Sequence, residues 1–460
     1  MPRLRAILIT FDTDVETFER RSKMNKRSMK RWVATGAISA VALAGLTACD
    51  TTGSGGEGEK VTITWWHNAT SDPLAGFWED VAAEFEAANP NVTVEVSGFQ
   101  NEELQRTLIP NALRSGGDAA PDLFQEWGAG ELAAQVRAGQ VKDISADVAD
   151  VLDSLGGAVA PWQVDGKTYG LPYNFGIEGF WYNKDLFAQA GIDGTPSTLD
   201  ELYDAIDKLK AAGITPIAVG AGDKWPAAHY WYNFALKSCS PEVLSAAQAN
   251  LVFDDKCFVQ AGELLQEFID SAPFNEGYLS TSAQQGAGSS AGQVATGNAA
   301  MELMGHWNPG VMGGILAEET GAEAAPPAFL GWFNFPGIDG TAGDPTAALG
   351  GGDGFACSAG APKECADLLK YIVSVDVQTR FGEIGAGLPV AKGSEAGISD
   401  QNLLQVLAGL QSASYVQLWL DTAYGPTVGG AMNDGIVNLF AGNGTPEDIV
   451  TSIKNAVATL

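Results

Sequence analysis

A chain of 460 residues that is 45% hydrophobic and 18% charged can bury two or three domain cores, and lacks the composition of a disordered protein. Its formal charge of −30, from 26 basic and 56 acidic side chains, repels phosphate backbones. That argues against nucleic-acid binding and against a strongly anionic ligand.

The chain opens on an address. Residues 1–23 mix acids and bases and do not suit an export signal, so translation is expected to begin at Met24. Lys26, Arg27, Lys30 and Arg31 then precede an apolar run from Trp32 to Leu46, closing on Leu46-Thr47-Ala48-Cys49. A basic segment, a short apolar core and small residues before a cut form a secretory signal, too short to span a membrane comfortably. Cysteine directly after the cut is the mark of a bacterial lipoprotein, so Cys49 is expected to carry the lipid. The polar, glycine-rich stretch at 50–59 reads as a tether. The remaining cysteines fall into two local pairs, Cys239 with Cys257 and Cys357 with Cys365. In an exported protein they read as two disulfides; three connectivities are possible, and short loops favour the local one.

From Val61 onward short β runs alternate with amphipathic helices. Val61–Trp66, Val92–Val96 and Pro121–Phe124 read as strands, with helices from Asp80 to Ala88 and Glu102 to Arg114 between them. Further helices are expected at Leu199–Ala211, Val259–Ile269, Glu364–Ser374, Asp400–Ala413 and Gly430–Phe440. There is no internal repeat. Such alternation predicts an α/β fold with open, mostly parallel sheets, whose ligand crevice lies beyond the carboxyl ends of the strands.

The three histidines each lie beside a tryptophan at what reads as a strand-to-loop position. His67 and Asn68 follow Trp65-Trp66; His229 lies in the run from Asp223 to Trp231; His306 and Trp307 follow the strand at 300–304. Gln125-Glu126-Trp127 follows the third strand, and Asp353 sits in Gly350-Gly351-Gly352-Asp353-Gly354. A sugar offers an apolar face of C–H groups and a rim of hydroxyls. Flat aromatic rings hold the first, and carboxylates, amides and imidazoles pair with the second. Taken singly, Trp65, Trp78, Trp162 and Trp419 read as core residues. Trp66, Trp127, Trp225 and Trp307 stand beside polar residues and read as ligand platforms, with His67, Asn68, Glu126, Asn174, His229, His306 and Asp353 as polar partners. No catalytic residue, cofactor or metal site is assigned.

Together these segments resemble the extracellular solute-binding family of bacterial sugar importers, which includes the maltose-binding protein. The resemblance rests on the lipoprotein signal, Phe85-Glu86-Ala87-Ala88-Asn89-Pro90-Asn91-Val92, Pro121-Asp122-Leu123, and the run Val164-Asp165-Gly166-Lys167-Thr168-Tyr169-Gly170-Leu171-Pro172. It continues through Trp181-Tyr182-Asn183-Lys184-Asp185-Leu186-Phe187 and Ala299-Ala300-Met301. The segments 223–231, 301–307 and 350–355 look most like actinobacterial proteins that bind xylobiose and related β-linked oligosaccharides. The resemblance implies two periplasmic-binding-protein-like lobes joined by crossing strands, with sugar in the cleft. Lobe one would be 60–173 plus 349–389 and lobe two 174–348 plus 390–460, crossing near Pro172–Asn174, Gly350 and Leu388-Pro389. It also implies an extracellular, lipid-anchored monomer that passes an oligosaccharide to an ABC permease. Two other readings stay open. One is a secreted glycoside hydrolase using carboxylates such as Glu126 and Asp353; the other is a metal-capturing lipoprotein using His67, His229 and His306.

Overall fold

The computed structural model describes residues 60–460. The expected export signal, Cys49 and the expected tether through residue 59 lie outside the described residues.

Val61–His67 (β1) places Ile63, Trp65 and His67 on one buried face, as period-two alternation requires. The first helix, Leu74–Ala88, buries Phe77, Trp78, Val81, Ala82 and Phe85 along one stripe. It starts a turn and a half earlier than its apolar pattern suggests. Pro73 occupies its N-cap position, and the Asp72 carboxylate accepts the Gly76 N–H at 3.0 Å, which fixes the first turn ahead of the apolar stripe.

Val92–Gly98 (β2) and Leu123–Glu126 (β3) both pair parallel with β1, as a βαβαβ sequence demands. Gln163–Val164 (β4) and Lys167–Thr168 (β5) make a small hairpin. Gly170–Pro172 (β6) and the late strand Gly354–Cys357 complete the first sheet, which contains β2, β1, β3, the late strand and β6 in that order. Gly176–Ile177 (β7), Gly179–Asn183 (β8), Met301–Met304 (β9), Leu330–Asn334 (β10), Ala348–Gly351 (β11), the late strand (β12) and Val416–Leu418 (β13) make up the rest. All of these but β12 build two three-stranded sheets, β10-β8-β9 and β13-β11-β7. Strands that return from the second group enter the first antiparallel, as β12 does against β3 and β6.

The sheet pairings locate the passages between lobes. β6 belongs to the first sheet and β7 to another, so the chain crosses at residues 173–175. β11 pairs with β7 and β13 whereas β12 pairs with β3, which puts the second crossing at Gly352-Asp353. Leu349 and Gly350, near the expected second crossing, satisfy their backbone groups in the sheet of β7 and β13, just before this passage. A bridge between Asn174 and Pro389 ties the third passage to the first.

Each lobe has its own core. Trp65, Trp78, Tyr173, Phe355 and Phe381 interlock in lobe one, with Trp65 and Phe355 meeting edge-on at 5.1 Å. Lobe two is organised around the helix Trp225–Ser238, every residue of which is buried. Cys239 and Cys257 are bonded, as are Cys357 and Cys365. Among the described residues no helix is long and apolar enough to cross a membrane.

Candidate ligand cleft

The loop after β1 forms one wall of a cavity that contains about 1020 Å³ of empty space, part of it open to solvent. Asn68 and residues 69–74 line it, together with Asn101, Gln105, Trp127, Tyr173, Asn174 and Asp353 from lobe one and the crossing strands. Lobe two supplies Trp225, His229, Gln284, Trp307, Gly310, Val311, Trp419, Asp421 and Thr422. The cavity therefore lies between the lobes, at the carboxyl ends of the strands.

Several expected side chains meet here, and others serve them from behind. Asn68 lines the cavity and donates from Nδ2 to Asn101 Oδ1 at 2.9 Å. His67 does not reach it: the ring is buried, and its Nδ1 accepts the Ala69 N–H at 3.1 Å. Burial pushes its pKa down to about 4, so the ring stays a neutral acceptor that shapes the 67–74 turn. Trp66 also lies off the site, packed on Phe99 at 5.1 Å.

Glu126 requires a correction. It is the last residue of β3, not a loop residue, and is wholly buried. Its Oε1 accepts the N–H groups of Trp127 and Gly128 at 3.2 and 3.0 Å. Burial, reinforced by the Glu131 carboxylate, raises its pKa well above the usual carboxylate range. Glu126 thus orients Trp127 and does not face the cleft.

Asn174 and Asp353 sit on adjacent crossings and grip each other. Asn174 donates from Nδ2 to Asp353 Oδ2 at 3.0 Å and accepts the Asp353 N–H at 2.8 Å. Burial pushes the Asp353 carboxyl up to about 6, opposed by the hydrogen bond from Asn174.

On lobe two, His229 lies within a helix, one turn after Trp225, and not at the end of a strand. Helical spacing projects both side chains to the same wall. Its Nδ1 lies 2.6 Å from Glu178 Oε2, so Nε2 is the atom presented to the cleft. Asn233 holds Glu178 in turn through its side-chain amide. The His229 ring stacks on Trp419 at 4.9 Å and 5°. Trp307 stands 5.9 Å from Trp419 and 6.4 Å from Trp225, each steeply tilted to it. The three indoles make a corner, not a flat strip. Gly305 makes this possible, since a Cβ there would collide with the Trp307 ring.

His306 requires the other correction. It is fully buried beside the crossing strands, its Nδ1 accepting the Leu388 N–H at 3.1 Å, and a Cβ on Gly176 would strike its ring. Burial lowers its pKa to about 3.

Trp419 is buried in the lobe-two core, as expected, but it also lines the cavity, as does Asp421, which the sequence did not single out. They follow β13, a three-residue strand whose pattern is too short to read. Asp421 Oδ2 accepts Arg106 Nη2 at 2.8 Å and Asn433 Nδ2 at 3.2 Å. The carboxylates lining the cavity are Asp72, Asp353 and Asp421; no lysine or arginine lines it. Among the described residues, no cluster of three or more His, Cys, Asp or Glu is placed to hold a metal. The three histidines stand apart, at the end of β1, on a cleft wall and beside the crossing strands.

Two α/β lobes joined by crossing strands around an aromatic, acidic cleft define a solute-binding protein. Residues 68–379 match the family of bacterial extracellular solute-binding proteins, and the chain belongs to it. It is 25% identical over 417 residues, 87% of each chain, to an uncharacterised ABC-transporter extracellular-binding protein of Pyrococcus horikoshii. A binding protein of Brucella abortus is 29% identical over 206 residues, 44% of this chain and 48% of that relative, so the match spans about half the relative's length. Among solved structures, one from work on xylan utilization by Caldanaerobius polysaccharolyticus superposes with a TM-score of 0.77 at 25% identity, covering 86% of this chain and 99% of the other.

Proposed function

We propose that this chain is the extracellular carbohydrate-binding component of an ABC importer, taking a neutral, β-linked oligosaccharide of the xylobiose type. The observation that carries this reading is the tryptophan corner of lobe two facing Trp127, Asn174 and Asp353 across one cavity. Indole faces suit pyranose C–H groups, and the Asn–Asp pair and His229 Nε2 suit hydroxyls. Three carboxylates without a lining cation disfavour uronates and sugar phosphates. The structure from xylan utilization supports the choice of sugar.

The chain acts as a receptor and not as a hydrolase on this reading. Glu126 caps backbone N–H groups behind the cleft, so it and Asp353 do not flank a common bond. Cys49 anchors the protein to the outer face of the membrane, and the lobes work as a monomer that docks on the permease. The lobes are taken as the sequence suggests them, with the second crossing placed at Gly352-Asp353.

Calorimetric titration with xylo-, cello-, malto- and galacto-oligosaccharides, with glucuronate as the anionic control, tests the ligand. Xylobiose or xylotriose should bind best and remain uncleaved. Tighter binding of glucuronate, or release of reducing ends, would refute the assignment. Cys49→Ser should remove detergent partitioning of the native protein.

A further inference from the structure

Glycine weakens a helix relative to alanine, so a helical glycine often marks a close approach. Two such glycines stand at the rims of the cleft. Gly130, in the helix Ala129–Arg137, faces the opposite lobe: a Cβ there would lie 2.5 Å from Ala423 O, 2.8 Å from Gly425 N and 3.0 Å from Thr422 O. Gly314, in the lobe-two helix Asn308–Thr320, makes the reverse contact, since its Cβ would collide with the Asp72 carbonyl of lobe one. Both obstacles are backbone atoms, which no change of rotamer can remove.

The two contacts bracket the ligand cavity. Asp72, Gly310 and Val311 line it near one of them, and Gln105, Asp421 and Thr422 near the other. At the second rim an ion pair also crosses between the lobes. Arg106 Nη2 lies 2.8 Å from Asp421 Oδ2, and Arg106 Nη1 lies 3.8 Å from Glu131. Arg106 sits in a π-helical turn, Leu104–Leu108, a local departure from α geometry of the kind often found at functional positions.

We propose that Gly130 and Gly314 are closure keys, bare positions through which the two lobes meet backbone to backbone, with Arg106–Asp421 locking one rim. This rests on the two-lobed binding reading above. Each glycine sacrifices helix stability within its own lobe and gains contact only when the lobes are shut. Replacement by alanine therefore acts in opposite directions: it favours the isolated helix and obstructs closure.

The test is small-angle scattering of the parent, Gly130→Ala, Gly314→Ala and the double variant, each alone and with millimolar xylobiose. Gly430→Ala is the control, because a Cβ there meets nothing within 4 Å. The parent and Gly430→Ala should match the compact shape of this structure in at least one condition. The key variants should keep the parent's circular dichroism and ligand-free melting temperature, yet scatter as more extended molecules in both conditions. Their apparent affinity for xylobiose should fall about ten-fold for each ten-fold loss of closed population. Key variants as compact as the parent would overturn the proposal, as would a parent that never reaches this compactness. If one variant does not fold, the other carries the comparison. Failure of every panel sugar to give heat would refute the carbohydrate reading, while ligand-free scattering would still judge the keys.

Discussion

Trp419 stacks face to face on His229 and lines the cleft, whereas Trp65 is fully buried beneath β1 among Trp78 and Phe355. The same substitution should therefore give opposite readouts at the two places. Trp225→Ala, Trp307→Ala and Trp419→Ala should each weaken xylobiose binding by about 2–4 kcal/mol, measured by calorimetry, and replacement of the partly buried Trp307 should do so with near-parental melting. Trp65→Ala should instead lower unfolding free energy by about 3–5 kcal/mol in chemical denaturation. Near-parental affinity in all three cleft variants would remove the aromatic corner from the site. A second residue-scale prediction concerns the histidines. Burial depresses the pKa of His67 to about 4 and of His306 to about 3, while the unfolded chain titrates near 6.5. Each ring then contributes stability that is fully present above pH 6.5 and lost as pH falls through the folded value. The loss is about 3 kcal/mol for His67 and about 5 kcal/mol for His306. Denaturation curves between pH 7 and 4 should show this slope, and His67→Asn should flatten it. An unchanged slope in that variant would mean that His67 does not titrate on unfolding.

At the scale of elements, the long amphipathic helices were the most legible. Leu199–Ala211 has the bounds its pattern suggests, because Thr198 and Glu201 form a capping box and five apolar residues face inward. Short strands were not: β7 has two residues and β13 three, too few for alternation to appear. His229 was misplaced because Trp225–Ser238 is buried on all sides, which erases the 3.6-residue period. The disulfides join neighbouring elements. Cys239–Cys257 ties the end of that helix to the start of Cys257–Asp270, and Cys357–Cys365 ties β12 to the helix Glu364–Ile372. Each stays within one lobe. Opening the first by Cys239→Ser/Cys257→Ser should cost about 3 kcal/mol of stability, read from denaturation midpoints. Because neither link spans the hinge, xylobiose affinity should stay near the parent's. A large loss of affinity at intact fold would show that the link couples to the cleft.

At the scale of the molecule, a ligand held by both lobes stabilises the folded state by mass action. Xylobiose at a hundred times its dissociation constant should add about 2.7 kcal/mol, seen as a melting temperature that rises with sugar concentration. Trp127 and Trp307, from opposite lobes, should change emission in the same titration. A rise in melting without any emission change would place the sugar elsewhere. The net charge of −30 bears on encounter and solubility, so the affinity of a neutral sugar should be nearly independent of salt.

The sequence by itself pointed to the lobed α/β class, to the local cysteine pairing and to six residues that line the cavity: Asn68, Trp127, Asn174, Trp225, Trp307 and Asp353. These belong to local rules of period, cysteine spacing and aromatic–polar adjacency, or to quoted motifs. His229 was also named, though on the wrong kind of element. Tertiary structure alone decided that Trp66, His67, Glu126 and His306 stand behind or beside the cleft, and that Trp419 and Asp421 enter it. Which face a buried polar group presents depends on partners distant in the chain. The Leu388 N–H claims His306, and Arg106, 315 residues away, claims Asp421. Composition and spacing can propose a side chain for a site, but only packing decides whether its polar atoms are left free for a ligand.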